Sequence, residues 1–159
     1  MQTIKRLLFV ALLISSFSAL ASKHYIGLDH FPELTIQSSS AKDQRLSGSS
    51  LIYGYEPSAK SGTNLLYEIG LLKGVGKGDL SLDLATFKLG KAWVYSCWRL
   101  AGFGEIGYGT QKSTTTETIS SLGAGMSAGY LATPNLYIGI GYIYNSHHSG
   151  FSASLKIGF

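Results

Sequence analysis

The last nine residues of the chain, 151–159, alternate strictly between apolar and small or polar side chains. In an extended strand successive side chains point to opposite faces, so one face carries the apolar set, Phe151, Ala153, Leu155, Ile157 and Phe159. An exposed apolar strand in a soluble protein would pair with other chains. A closed barrel in a lipid bilayer can expose that face to hydrocarbon, so the segment favours a membrane barrel.

Composition agrees with a sheet that faces lipid. The chain has 20 glycines and 10 tyrosines, and only 14% of its residues are charged, which departs from an ordinary soluble domain. No apolar run after residue 22 approaches the roughly 20 residues that a spanning helix needs, and a bilayer otherwise accepts only closed barrels. The lone cysteine, Cys97, excludes a disulfide scaffold and is expected to be a small buried side chain.

The first 21 residues have the pattern of a secretory signal peptide. Lys5 and Arg6 precede an apolar run at 7–14, and 19–21 reads Ala-Leu-Ala, a small-x-small cleavage pattern. We therefore expect residues 1–21 to be cleaved, which leaves 138 of the 159 residues, 22–159, as a single barrel domain. That part carries 11 of the 13 basic residues against nine acidic ones, so nucleic acid is not an expected partner.

Alternating segments and turn signals predict an all-β fold, an eight-stranded antiparallel transmembrane β-barrel. The predicted connections are 31–45, 56–62, 73–79, 88–98, 110–118, 132–135 and 145–150. The turn between residues 88 and 99 has no sharp position, because Leu89-Gly90-Lys91 resembles a turn whereas 93–98 favours a strand. In the fourth strand Leu80, Leu82 and Leu84 are predicted to face lipid.

An even number of strands puts both termini at one end of the barrel, which we expect to be periplasmic. The connections 31–45, 73–79, 110–118 and 145–150 would then lie outside the cell. Aromatic residues fall into two groups under this topology, as the interfacial girdles of a membrane barrel require. The inner group is Tyr53, Tyr55, Tyr130 and Phe159, and the outer group is Tyr108, Tyr142, Tyr144 and Phe151.

Six charged residues are predicted to point into the barrel, namely Asp29, Glu68, Asp83, Arg99, Glu105 and Lys156. The interior of an eight-stranded barrel is just wide enough for side chains to fill it. We therefore expect opposed charges to pair there and to plug the lumen, and a proton or ion path is the alternative.

Residues 145–150 contain the one hint of catalysis, a His-x-Ser spacing similar to that of outer-membrane lipid A deacylases. The resemblance would make His147 the base and Ser149 the nucleophile. That family continues with Asn after the Ser, where this chain has Gly150, and takes a Glu from its final strand, where 151–159 has no acid. We therefore expect no enzyme, and neither a cofactor nor a metal, since the adjacent His147 and His148 rarely ligate one ion.

Across residues 22–159 the alternation, the girdles and the terminal Phe resemble the porin-family outer-membrane β-barrels, including OmpA- and OmpX-type proteins. The resemblance implies an outer-membrane location, contact with lipid and lipopolysaccharide, and a terminal strand read by the barrel-assembly machinery through Phe159, Ile157 and Leu155. It also implies a structural or surface-binding role such as envelope integrity, adhesion or host contact. The expected contact surface is 31–45 together with 110–118. The alternatives are a lipid A deacylase-like enzyme and a narrow transporter of a small or apolar solute.

Overall fold

The protein is a closed β-barrel in which each strand is antiparallel to the next and the last strand pairs with the first. The computed structural model describes residues 24–37, 44–56, 62–113 and 115–159. The expected signal peptide and much of the first connection lie outside the described residues. No helix among the described residues is long and apolar enough to cross a membrane.

The barrel has eight strands, which confirms the predicted fold class. They are β1 (His24–Ile36), β2 (Gln44–Tyr55), β3 (Gly62–Gly76), β4 (Ser81–Tyr95), β5 (Trp98–Lys112), β6 (Thr116–Thr133), β7 (Leu136–Asn145) and β8 (His148–Gly158). We call the end that holds His24 and Phe159 the termini end, and the opposite end the far end.

The closing strand β8 has the orientation that its alternation predicts. Its apolar side chains point outward, with Phe151 69% exposed and Leu155 44% exposed, while Ser152, Ser154 and Lys156 are buried inside. β8 pairs with β1 from Tyr25 opposite Gly158 up to the far end, with one irregularity in β1 between His30 and Glu33. The closing pair thus leaves no free strand edge along most of the wall.

The outer surface is an apolar band with aromatic side chains towards both ends. Tyr53, Trp93, Tyr95, Trp98, Tyr130 and Phe159 are exposed towards the termini end, and Tyr108, Tyr144 and Phe151 towards the far end. Aliphatic side chains between them are also exposed, including Leu28, Leu51, Ile69, Leu71, Ile106, Leu122 and Ile140. Aromatic rings in two zones around an aliphatic band are the outer surface of a barrel that spans a bilayer.

Two of the expected far-end loops are wrong because the strands extend further. β1 continues to Ile36 and β2 begins at Gln44, so most of the described part of 31–45 is strand. β5 likewise continues to Lys112 and β6 begins at Thr116 within the predicted loop 110–118. Beyond the apolar band the outward face of a strand is exposed to water and carries polar side chains. The sequence of such a stretch is therefore similar to that of a polar loop.

The predicted faces of the fourth strand are also wrong. Leu82 and Leu84 are buried inside the barrel, at 0% and 3% exposure, whereas Asp83 is exposed on the outside. The leucines join an apolar cluster that fills the far end of the lumen, Phe31, Leu34, Ile36, Leu46, Leu72, Leu80, Leu82, Leu84, Ile119 and Ile143. Asp83 lies opposite Lys73 in the strand ladder, where the outer wall is already polar, so its charge stays out of hydrocarbon.

The turn that the sequence left open lies between Tyr95 and Trp98. Ser96 closes it in a left-handed backbone conformation, with φ of 55°, which a non-glycine residue adopts mainly in tight turns. Cys97 follows in the same turn and is only partly buried, contrary to the expectation of a core residue. Leu89, Gly90 and Lys91 belong to the middle of β4 and do not form a turn.

Candidate functional site

The middle of the lumen is filled by ion pairs centred on Glu68. Lys156 donates a hydrogen bond to Glu68 Oε1, and Lys88 Nζ lies 3.4 Å from Glu68 Oε2. Lys88 Nζ also lies 3.3 Å from Asp29 Oδ2, so one lysine joins two carboxylates. The Tyr25 hydroxyl donates to Glu68 Oε1 at 2.6 Å. Because all these side chains are buried, each charge depends on its neighbours for stabilisation.

Strand register brings these groups together. Glu68 and Lys88 are direct partners across β3 and β4, and Lys88 is in turn the partner of Glu105 across β4 and β5. Glycine provides the space for the longer side chains, since a Cβ at Gly27 would lie only 2.8 Å from Lys156 Cγ. A Cβ at Gly54 would overlap the ring of Tyr25. The inward glycines of the sequence are thus the complement of the buried lysine and tyrosine.

A second ion pair lies at the termini end of the lumen. Arg99 Nε and Nη2 both donate to Glu56 Oε2, at 3.2 and 3.0 Å. Asn64 donates to the other oxygen, Glu56 Oε1, at 3.0 Å. The guanidinium carbon of Arg99 lies 5.3 Å from the centre of the Tyr137 ring, a cation–π distance. Arg99 is therefore fixed on two sides at the mouth of the barrel.

Asn145 connects the lumen to the turn between β7 and β8. Its Nδ2 lies 3.3 Å from Glu105 Oε1 and 3.0 Å from His148 Nε2. Its Oδ1 accepts the backbone N–H groups of His147 and His148, at 3.0 and 2.8 Å. With Oδ1 accepting two donors, Nδ2 must donate to His148, so His148 Nε2 accepts and the imidazole is neutral with its proton on Nδ1.

The structure places five of the six predicted lumen charges inside the barrel, Asp29, Glu68, Arg99, Glu105 and Lys156, and the sixth, Asp83, outside. Lys88 and Glu56, which were not predicted as lumen residues, are also buried and paired. Lys88 stood beside an apparent turn, and Glu56 stood at the start of a predicted one. Lys88 has the same parity as Leu82 and Leu84, so the predicted outward face of those leucines would have placed this lysine outside as well.

His147 and Ser149 are held by backbone interactions. The carbonyl of His147 accepts from the N–H of Gln37 at 2.9 Å, and Ser149 is paired in the ladder with Tyr144 and Thr35. Ser149 has the outward parity of Phe151, whereas His148 faces the lumen. In the part of the chain that the structure describes, no cluster of three or more His, Cys, Asp or Glu is arranged to hold a metal ion.

Little free volume is left in the centre of the lumen. The cavity among Asp29, Glu68, Lys88, Phe103 and their neighbours measures about 20 Å³. That volume holds one or two water molecules at most. The apolar cluster defined above lies between this cavity and the far end. Across the described residues the barrel is thus a packed core surrounded by a lipid-facing wall.

These features together define a class of protein. The barrel is closed, its lumen is charged and packed, and its apolar outer band is flanked by aromatic side chains. It is a small outer-membrane β-barrel of the Gram-negative type, because the outer band must be covered by hydrocarbon and the strands must satisfy their own hydrogen bonds. This agrees with the fold, the location and the resemblance expected from the sequence.

Solved structures share this fold. The chain is similar to Neisserial surface protein A, with 17% identity and a TM-score of 0.61, over 87% of this chain and 98% of that one. It is also similar to Ail, the attachment invasion locus protein of Yersinia pestis, with 15% identity and a TM-score of 0.54, over 86% of this chain and 97% of that one. No protein-family model and no curated protein sequence matches the chain. At these identities the likeness concerns the fold.

Proposed function

We propose that the protein is a plugged surface barrel with a structural or binding role, in envelope integrity, adhesion or host contact, and that it is neither a channel nor an enzyme. The observation that carries this proposal is the filled lumen. Buried ion pairs around Glu68 and the apolar cluster beyond them leave a central cavity of only about 20 Å³. A solute path would require both layers to move, so the surfaces open to a partner are the two ends.

The far end is the better contact surface of the two under the expected topology, with the termini in the periplasm. Its exposed side chains include four basic and four acidic residues, Arg45, Lys73, Lys77 and Lys112 with Glu33, Asp79, Asp83 and Glu117. An open recess of about 600 Å³ lies there, lined by Gln44, Arg45, Lys77, Asp79, Leu80 and Ser113. Such a recess with charges of both signs suits a polar surface ligand.

One similar structure is that of Ail with the heparin analogue sucrose octasulfate, at 15% identity and a TM-score of 0.50, over 85% of this chain and 96% of that one. The far end of this chain differs from a purely basic surface, because Arg45 forms an ion pair with Glu33 at 3.2 Å and Lys73 lies opposite Asp83. We therefore propose a partner with both charged and neutral polar groups, such as a protein or glycoprotein surface.

Two measurements test this function. Planar-bilayer recordings of the refolded barrel should show no steady conductance, and a large stable pore would overturn the plugged-lumen proposal. Bacteria that display the barrel should adhere to host cells or matrix more than bacteria without it. The double variant Arg45→Gln and Lys77→Gln should reduce adherence, whereas Lys112→Gln, outside the recess, should not. Equal adherence with and without the protein would contradict a contact role.

A further inference from the structure

One side of β6 has no neighbouring strand at the far end of the barrel. Towards β5, β6 is paired from Thr116, which lies opposite Lys112. Towards β7 it is paired only from Gly123, which lies opposite Asn145. Residues 116–121 thus continue for about 20 Å past the end of β7, at about 3.4 Å per residue. We call the side of residues 116–121 that faces away from β5 the β6 edge, and no strand that the structure describes pairs with it.

The turn after β7 explains why this edge is free. Asn145 Oδ1 accepts the backbone N–H groups of His147 and His148, so the chain turns directly after β7 and returns as β8. Ser146 in this turn donates its N–H to the carbonyl of Leu122 at 3.0 Å. Past that hydrogen bond β7 no longer accompanies β6, which continues with β5 as a two-stranded hairpin.

The β6 edge presents backbone donors and acceptors. In an antiparallel strand alternate residues direct both their N–H and their C=O to the same side. Leu122 bonds towards β7, so Thr116, Thr118 and Ser120, which share its parity, direct their backbone groups to the β6 edge. All three residues are exposed. A row of exposed N–H and C=O groups is the pattern to which an extended polypeptide binds as an additional strand.

The β6 edge lies beyond the hydrocarbon and is not protected. Ser120 is the ladder partner of Tyr108, an aromatic residue of the far-end zone, and the rest of the edge lies further out. Proteins commonly block an exposed edge with lysine, proline or a bulge. Residues 116–121 contain neither lysine nor proline, and their pairing with β5 is regular. An incoming strand therefore meets only short polar side chains on the outward side.

We propose that the β6 edge binds an extended segment of a partner polypeptide, which adds to the sheet as a strand antiparallel to β6. The inference rests on the contact role proposed above and specifies how the partner is held. A second copy of the chain fits this edge less well. Two identical edges pair in antiparallel fashion only when their strands run in opposite directions, and β6 runs in the same direction in all copies within one membrane.

The inward side chains of the edge select the partner sequence. Ile119 is 8% exposed and belongs to the apolar cluster of the far end, whereas Glu117 has the same parity and is exposed. Apolar pairs and pairs of opposite charge stabilise neighbouring strands. An antiparallel partner should therefore place an apolar residue opposite Ile119 and, two residues later, a basic residue opposite Glu117.

A short peptide with this pattern tests the pairing. The dye-labelled peptide Ser-Thr-Val-Thr-Lys-Thr, with an amidated carboxyl end, is titrated with the barrel refolded in micelles and followed by fluorescence anisotropy. Its threonines lie opposite Ser120, Thr118 and Thr116, so their N–H groups face β6. Methylating the threonine nitrogens should weaken binding about tenfold or more, because three hydrogen bonds are lost. Methylating the nitrogens of Ser, Val and Lys, which face away, should change binding less than about threefold.

A pair of variants tests the edge from the side of the barrel. Thr118→Pro removes the central N–H of the edge, and a strand tolerates proline where the N–H faces solvent. It should weaken binding of the unmethylated peptide about fivefold or more, whereas Thr118→Val keeps the N–H and should not weaken it. Heat-modifiable migration on detergent gels verifies that both variants are folded.

Absence of saturable binding, equal affinity for the two methylated peptides, or unaltered binding to Thr118→Pro would each overturn the proposal. A dimer of the barrel that Thr118→Pro abolishes, measured by sedimentation, would also overturn it, because the edge would then hold a second copy. The adherence assay separates this inference from the proposed function. Adherence that persists although the peptide does not bind contradicts the β6 edge alone, whereas equal adherence with and without the barrel contradicts the contact role itself.

Discussion

Replacing Glu68 by Gln should destabilise the barrel more than any other single charge removal in the lumen. Glu68 accepts from Lys156 and Tyr25 and lies 3.4 Å from Lys88 Nζ. Gln keeps the shape of the side chain and removes its charge. Lys88 keeps its ion pair with Asp29 at 3.3 Å. The charge left without a partner is therefore chiefly that of Lys156, whose side chain is only 8% exposed.

The expected cost follows from that burial. Removing one partner of a buried ion pair destabilises proteins by about 3–5 kcal/mol, because the other charge is left without compensation. Since Lys88 and Tyr25 keep other interactions, we expect a loss of about 3 kcal/mol in the free energy of unfolding. Replacing Lys156 by Met in the Glu68→Gln background should recover part of it, with a coupling of about 1–3 kcal/mol between the two sites.

Urea unfolding in lipid vesicles, followed by far-ultraviolet circular dichroism, measures these differences. The matched control is Asp83→Asn, which neutralises a carboxylate on the outer wall. It should change the free energy of unfolding by about 0.5 kcal/mol or less, as surface substitutions usually do. Equal losses for Glu68→Gln and Asp83→Asn, or additive effects of Glu68→Gln and Lys156→Met, would refute the view that the central ion pairs stabilise the barrel.

Three further predictions concern assembly, packing and chemistry. Deleting Phe159 should reduce the amount of membrane-inserted protein far more than it reduces export to the periplasm. Insertion is measured as heat-modifiable migration on detergent gels. Equal insertion of the truncated and the full-length chain would contradict an assembly signal at Phe159. Gly90→Ala should cost about 1–3 kcal/mol, because its Cβ would lie 2.7 Å from the Phe103 Cα, whereas Gly104→Ala, with 3.8 Å to its nearest atom, should be tolerated in the same unfolding assay. Ser149→Ala should leave the acyl chains of lipid A unchanged, as measured by mass spectrometry. Loss of an acyl chain that depends on Ser149 would instead support the lipid A deacylase alternative.

The sequence predicts the wall of the barrel well wherever the wall touches hydrocarbon. Within the bilayer every outward side chain must be apolar, so the period of two identifies both the strand and its face. In β3, for example, Leu65, Ile69 and Leu71 share one parity in the sequence, and all three are exposed on the outer wall. The same argument orients β8 from the alternation of residues 151–159 alone. The outward face of each of these strands can be predicted without knowing which strands pair with it.

The errors occur where that constraint ends. Beyond the bilayer the outer face of a strand is in water and the inner face is packed, so apolar side chains point inward and the rule reverses. Leu82, Leu84 and Asp83 were misplaced for this reason. The pairing of Lys88 with Asp29 and Glu68 joins residues far apart in the chain, and only the register of closed strands brings them together.

Gly90 shows a second limit, because a glycine can mark either a turn or a close approach. Gly78 has a φ of 71° and belongs to a true turn, with open space where a Cβ would be. Gly90 sits in a regular strand, and a Cβ there would overlap the carbonyl oxygen of Gly102. Sequence alone does not distinguish a glycine in a turn from a glycine at a close approach between strands. The predicted connection at 88–98 was uncertain because Gly90 is of the second kind.

Both tryptophans of the chain lie on the lipid-facing side of the termini end, Trp93 being 47% exposed and Trp98 59% exposed. Their fluorescence therefore reports on one leaflet of the bilayer. Lipids brominated at different acyl depths quench an indole only at contact, so the time course of quenching during insertion follows the passage of this end across the membrane. When the strands enter far end first, these rings stay in the leaflet on the side of entry; when the termini end enters first, they cross the hydrocarbon and finish in the opposite leaflet. The native sequence thus contains its own probe for the direction of insertion.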